Sequence, residues 1–334
     1  MKKLFFLTLC FLAMIAEATT TTQPQFIFKA EYLYWHALYD QPYFVFRDTP
    51  PVSLNTPNGQ RLSNPGEWDS GLRLEATYVM CECINEIDLR WTRFHTTSTQ
   101  SYSSPDSNLV PTQGHPGLTT SFNTFAESKL RTRLDAIELL FFTFPFQSPA
   151  NIRLKGGLNY TNIDFKQDIV YTGTEFGPRF GNILKETSFR GIGPNLNLDF
   201  YYPVSYIIPF CPKVPVYLHG DVRGALLAAR SKASNFQVNA QAATVFPIDA
   251  VNDPIWRLVP VLNLKFGLNT CYMWSCFRID LEVGYEFLSY HNAIQSTIYY
   301  TGTTGANNLN AANSFDDYGN LDFHGPYVSL GISF

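Results

Sequence analysis

Phe277-Arg-Ile-Asp-Leu-Glu-Val-Gly-Tyr-Glu-Phe-Leu288 changes character at every residue. Phe277, Ile279, Leu281, Val283, Tyr285 and Phe287 share one face, and Arg278, Asp280, Glu282 and Glu286 share the other. Successive side chains of a strand point to opposite sides, so this segment predicts a strand with one apolar and one charged face. Upstream, Leu72, Leu74, Ala76, Tyr78 and Met80 likewise oppose Arg73, Glu75 and Thr77. The same alternation recurs in ten spans: 26–38, 70–80, 86–94, 129–144, 152–161, 189–200, 216–228, 257–269, 277–288 and 323–334. With the more apolar face taken as the outer one, three charges in these spans fall out of phase: Arg93, Glu138 and Arg190. Glu138 on a lipid phase requires a bulge or a register shift.

The connections alternate as well. Short ones follow every second strand, at Cys81–Asn85, Pro145–Asn151, Tyr201–Pro215 and Thr270–Cys276. Long ones, such as Thr96–Ser128 and Asn292–Asp322, are rich in Ser, Thr, Asn, Gly and Pro. A soluble sandwich also alternates, but it seldom charges one face of nearly every strand in so regular a phase. Short turns at one end and long loops at the other predict a transmembrane antiparallel up-and-down β-barrel of the outer membrane, with periplasmic short turns and long extracellular loops. Hydrocarbon offers the backbone no hydrogen-bond partner, so the sheet must close on itself. Ten strands are counted; Phe44–Val52 and Phe236–Phe246 leave room for further strands, up to fourteen.

The start of the chain sets the compartment. Lys2 and Lys3 precede an apolar run from Leu4 to Ile15, and Ala16-Glu17-Ala18 is a small-x-small cleavage site. Residues 1–18 therefore predict a signal peptide, leaving 19–334 as a single barrel domain of the bacterial outer membrane. The twelve-residue run is too short to span a bilayer as a helix. Composition agrees. The 334 residues are 45% hydrophobic, 16% aromatic and only 16% charged, with net charge -4, which excludes a disordered chain and a basic nucleic-acid binder. Aromatic residues gather at strand ends. Trp35, Tyr39, Trp68, Phe94, Trp256 and Tyr290 lie toward the long loops; Tyr78, Phe142, Phe144, Phe200, Tyr272 and Trp274 lie toward the short turns. These positions suit interfacial girdles. Val328, Leu330, Ile332 and Phe334 alternate up to a terminal Phe, as in the signal read by outer-membrane assembly machinery.

The charged phase supplies the candidate pore lining. Strand by strand it comprises Lys29 and Glu31; Arg73 and Glu75; Asp88 and Arg90; Lys129, Arg131, Arg133 and Asp135; Arg153 and Lys155; Asp221 and Arg223; Lys265; and Arg278, Asp280, Glu282 and Glu286. Lys129, Arg131, Arg133, Arg153 and Lys155 form a basic wall opposed by Asp280, Glu282 and Glu286, an arrangement that sets a transverse field and an ion preference. The expected function is passive diffusion of small hydrophilic solutes or ions by an abundant surface protein. The alternative is a plugged structural barrel acting as an adhesin, because about eight strands enclose only side chains and wide channels need about 16–18.

Cys81, Cys83, Cys211, Cys271 and Cys276 all map to the periplasmic end, where disulfides are permitted. Cys271 and Cys276 flank one hairpin, Cys81 and Cys83 would close a strained ring, and an odd number leaves a thiol for intermolecular linkage or as inert buried cysteine. Their spacing matches no zinc pattern, and no cofactor is implied. An enzyme reading rests on His95, His291 and the Asp316-Asp317 pair near the rim, without a Gly-x-Ser-x-Gly or His-Glu-x-x-His motif.

Four stretches resemble the Legionella-type major outer membrane proteins, which also occur in Chlamydia-like bacteria. They are Phe28-Lys-Ala-Glu-Tyr-Leu-Tyr-Trp35; Phe189-Arg-Gly-Ile-Gly-Pro194 with Asp199–Pro203; Val259–Leu268 with Asp280–Tyr290, which holds Val283-Gly-Tyr-Glu286; and Phe323-His-Gly-Pro-Tyr327. The resemblance implies an abundant porin-like barrel, sometimes adhesive, and carries no catalytic residues. Outer-membrane lipid and the assembly machinery are the expected partners. A homo-oligomer such as a trimer, disulfide-linked envelope proteins and a host surface remain open.

Overall fold

Strands with one apolar and one charged face leave no face for an ordinary core, and here they close on themselves. The computed structural model describes residues 25–40, 43–49, 58–80, 86–106, 108–113, 123–146, 151–173, 180–204, 216–241, 244–274, 277–299 and 314–334. The signal segment 1–18 and the short turn Cys81–Asn85 lie outside them.

The strands are β1 (Gln25–Tyr39), β2 (Tyr43–Asp48), β3 (Gly59–Ser63), β4 (Trp68–Val79), β5 (Glu86–Ser103), β6 (Leu109–Pro111), β7 (Phe125–Phe146), β8 (Asn151–Thr172), β9 (Phe180–Pro203), β10 (Val216–Gln241), β11 (Thr244–Val251), β12 (Ile255–Trp274), β13 (Phe277–Tyr299) and β14 (Ser314–Ser333). The barrel runs β1-β4-β5-β7-β8-β9-β10-β12-β13-β14 and back to β1, each strand antiparallel to both neighbours. The first and last strands close the ring: Phe26 and Phe334 exchange backbone hydrogen bonds of 3.0 and 3.1 Å. All ten predicted spans are barrel strands. The candidate extra strands are not. Phe44–Val52 contributes β2 to a separate three-stranded sheet, β3-β2-β6, and Phe236–Phe246 falls in the hairpin of β10 and β11.

The strands run well past their predicted ends on the long-loop side. β10 has 26 residues and β9 has 24, where about 9–11 suffice to cross a bilayer. Much of the predicted loops Thr96–Ser128 and Asn292–Asp322 is therefore wall, in β5, β7, β13 and β14. This projecting wall is where the alternation of apolar and polar residues ceases to follow the lipid.

Local packing explains the resembling motifs. Gly267 and Gly284 stand opposite each other on β12 and β13, and a Cβ on either would approach the Tyr327 hydroxyl to 2.4 or 2.6 Å. The two glycines make room for Tyr327, whose hydroxyl donates to Glu282 at 2.5 Å. Val-Gly-Tyr-Glu and Phe-His-Gly-Pro-Tyr thus meet in one packing unit.

Candidate functional site in the barrel interior

In the periplasmic half the inward residues form a buried layer of paired charges. The Arg73 guanidinium donates to Glu286 at 2.8 and 2.9 Å and to Glu31 at 2.8 Å. Lys265 reaches Glu31 at 2.5 Å. Arg90 pairs with Glu75 at 2.8 Å and Glu138 at 3.2 Å, while Arg223 pairs with Asp221 at 2.7 Å and Glu138 at 3.4 Å. Lys155 bridges Glu86 and Asp88, both at 2.7 Å, and Arg153 bridges Glu86 and Asp199. His219 lies between Asp199 at 2.8 Å and Glu282 at 2.7 Å, with Tyr201 stacked on its ring. An unpaired charge in this setting would be strongly destabilising, so the pairs are mutually required.

Above this layer the inward residues become apolar. Leu33, Trp35, Phe94, Leu134, Phe189, Leu227, Val259, Tyr290 and Phe323 belong to one buried cluster. Above that, Phe44, Val45, Leu62 and Leu109 of the three-stranded sheet pack on Ala126, Ile169, Tyr171 and Ile183 of β7, β8 and β9. Polar contacts seat this cap. Asn64 donates to the Ser128 carbonyl at 2.8 Å, Tyr102 to that of Ser63 at 3.0 Å, and Tyr171 to that of Phe44. Two cavities in the charged region measure about 20 and 50 Å³, room for one to a few waters. The interior is filled at three levels.

Lys29, Glu31, Arg73, Glu75, Asp88, Arg90, Arg153, Lys155, Asp221, Arg223, Lys265, Glu282 and Glu286 lie on the inward phase, and Arg278 and Asp280 pair at 2.7 Å near the periplasmic rim. Lys129, Arg131, Arg133 and Asp135 are corrections. On β7 their even-numbered neighbours Leu130, Thr132, Leu134 and Ala136 are buried, and these four face outward. Glu138 is the complementary correction: it faces inward between Arg90 and Arg223. A register shift between Leu140 and Phe142 explains both. Below it Phe144 faces lipid, as the alternation predicts; above it the phase is reversed. The expected basic wall is thereby reduced to Arg153 and Lys155, which are paired with carboxylates rather than set opposite an acidic wall.

Glu86, Glu138, Asp199 and His219 complete the layer and were absent from the candidate set. Glu138 left a trace in the sequence, as a charge out of phase; His219 left none beyond its alternation with Val216–Leu218. The aromatic positions also need revision. Trp35, Phe94 and Tyr290 are buried inside, whereas Trp68 and Trp256 are outside at 43% and 73% exposure. Trp35, Phe94 and Tyr290 fill the apolar interior layer rather than a girdle.

Cys271 is a free thiol on β12; Cys81, Cys83, Cys211 and Cys276 lie outside the described residues. His95 and His291 stand on β5 and β13, and Asp316 accepts from Asn252 and Gln295. Among the described residues no hydrogen bond joins either histidine to the acidic pair, and no group of three metal-ligating side chains occurs. Val328, Leu330, Ile332 and Phe334 all face outward, between 42% and 58% exposed.

The sequence pattern described as Legionella pneumophila major outer membrane protein precursor matches residues 19–334. No curated protein matches the chain. Among solved structures, the Escherichia coli outer membrane protease OmpT is similar with TM-score 0.46 and 8% identity, over 95% of this chain and 99% of that one. The P. putida toluene transporter TodX has TM-score 0.31 and 8% identity, over 94% and 90%. A Pseudomonas aeruginosa FadL homologue has TM-score 0.27 and 8% identity, over 93% and 90%.

Proposed function

Since the chain belongs to the Legionella major outer membrane protein family and forms a β-barrel of the bacterial outer membrane, we propose that it is a porin-like surface protein whose path for ions and small hydrophilic solutes is closed at rest. The carrying observation is the interior layer of paired charges, centred on Arg73 between Glu31 and Glu286. Replacing buried ion pairs by packed apolar side chains is often neutral or stabilising, so a purely structural barrel has no physical need of them. A layer of charges that can rehydrate suits a path that opens. Nine buried carboxylates face seven Lys and Arg side chains in this layer, which favours cations when it is open. The outward C-terminal strand is the segment offered to the assembly machinery.

Planar-bilayer recording of the refolded full chain tests this. The unmodified protein should give brief, small steps with a weak cation preference under a salt gradient. Glu286→Gln, which loosens Arg73 while keeping a hydrogen-bonding group, should raise the open fraction. Absence of steps in both proteins, each shown to be folded by heat-modifiable migration, would reject a solute path. The second reading, a permanently plugged barrel acting at the cell surface, is favoured by the sheet seated in the mouth. Removing residues 43–63 would then leave conductance at zero but abolish binding to a host surface.

A further inference from the structure

The outer wall carries a feature unrelated to the interior. On β5, β7, β8, β9 and β10 the outward side chains turn from apolar to polar across one step of register. Trp91, Ile137, Tyr160, Ile192 and Ala228 form the last apolar row, and Arg93, Asp135, Asn162, Arg190 and Arg230 the next. Arg190 and Arg230 are direct cross-strand partners, both exposed, and Lys232 follows on the same face. Like charges directly opposite repel.

The nearby carboxylates do not relieve them. Asp135 is engaged by Arg133 at 2.8 Å and Arg93 at 3.9 Å, and Glu186 by Lys166 at 2.6 Å. Asp164 lies opposite Arg133 and Ser188. Among the described residues Arg131, Arg190, Arg230 and Lys232 form no ion pair, and Arg190 has only Asn162, at 3.3 Å. A groove of about 420 Å³ runs between Arg131, Arg133, Lys166 and Lys232, with Asp164 and Glu186 in its wall. The opposite side of the barrel differs. There β1, β4 and β14 present His36, Trp68 and His324, their ring centroids 5.3 to 5.5 Å apart, with His36 stacked on Trp68 and His324 edge-on to both.

This basic patch adjoins the lipid-facing band at its extracellular edge, where the bilayer presents headgroups. Guanidinium groups bind phosphate through paired N–H donors, and basic residues at a membrane surface are drawn to anionic lipid. We propose that the outward face of β7–β10 binds the phosphate-bearing headgroup of an outer-leaflet lipid. Arg190, Arg230 and Lys232 are its main phosphate contacts, and Arg131 stands across the groove. Continuity with the lipid band favours a lipid over a soluble anion or an acidic protein.

The test uses the full chain in nanodiscs of neutral phosphatidylcholine, doped with a diphosphorylated lipid or the same lipid without phosphates. Bound lipid is counted by native mass spectrometry. The unmodified protein should retain the phosphorylated lipid about tenfold or more in preference, and the combined variant Arg190→Gln, Arg230→Gln, Lys232→Gln should lose that preference. Trp68→Phe, on the opposite side, should keep it. Equal retention of the two lipids by the unmodified protein would overturn the proposal, as would an unchanged preference in the triple variant. Displacement of the lipid by inorganic phosphate would also overturn it, by identifying a free-anion site. High salt applied to the unmodified protein should abolish the preference, a check that needs no variant to fold; a preference untouched by salt counts against the proposal.

Discussion

The two halves of the barrel wall are built on the same strands with opposite polarity. On β7, Ile137, Leu139 and Phe141 face outward in the lower half and Glu138 faces inward. A few residues higher, Arg131 and Arg133 face outward while Leu130 and Leu134 are buried inside. β10 repeats the exchange, with Leu226 outside and Arg223 inside below, then Arg230 outside and Leu227 inside above. The lower half is solvated by hydrocarbon and the upper half by water. Each half places apolar side chains against the less polar of its two surroundings. The strand continues through both without changing its twofold repeat, so the polarity must exchange at the boundary.

Substitutions in the two halves should separate them. Glu286→Leu leaves buried Arg73 with Glu31 as its remaining carboxylate partner and should cost about 3–5 kcal/mol in urea unfolding of the refolded protein. Restoration by the double change of Arg73 and Glu286 to leucine would support that account; an unchanged midpoint for the single variant would refute it. In the upper half the equivalent interior change is Phe94→Ala, expected to cost about 3–5 kcal/mol through cavity formation. There, unlike in the lower half, no charge is stranded and a second substitution should not rescue. On the outer face, Leu139→Arg should cost about 2–4 kcal/mol because it faces hydrocarbon. Arg131→Leu, on the same strand and the same face, should stay within about 0.5 kcal/mol. Equal effects at these two positions would show that no solvent boundary lies between them. Gly284→Ala would bring its Cβ to 2.1 Å from the Phe266 carbonyl and 2.6 Å from the Tyr327 hydroxyl, and should cost about 1–3 kcal/mol. A comparably small effect is expected from Lys166→Gln, which breaks an exposed pair with Glu186 and should change stability by about 0–1 kcal/mol.

Legibility of the sequence followed this same division. The periodicity of Phe277–Leu288 and of Leu72–Met80 reports the lower half, where lipid on one side and paired charges on the other enforce alternation. The phase there is correct for Glu31, Arg73, Asp221 and Glu286. Lys129–Asp135 departs from the expected phase because its apolar partners, Leu130 and Leu134, turn inward once the wall leaves the bilayer. The register shift at Leu140 and Phe142 made one continuous phase across β7 impossible. Arg93 and Arg190, out of phase in the sequence, are outward residues at the edge of the upper half.

Barrel class and outer-membrane location were determined by the sequence itself; strand number was bounded between ten and fourteen, and closure of the sheet fixed it at ten. Class and location depend on twofold alternation and on the unequal lengths of turns and loops, both local properties of the chain. Whether the barrel is open or filled was decided only by the tertiary structure. That depends on which inward side chains meet across the lumen: Arg73 with Glu286, separated by 213 positions, or Tyr171 with Phe44, separated by 127. Alternation states that a charge points inward; only closure of the sheet states which charge it meets.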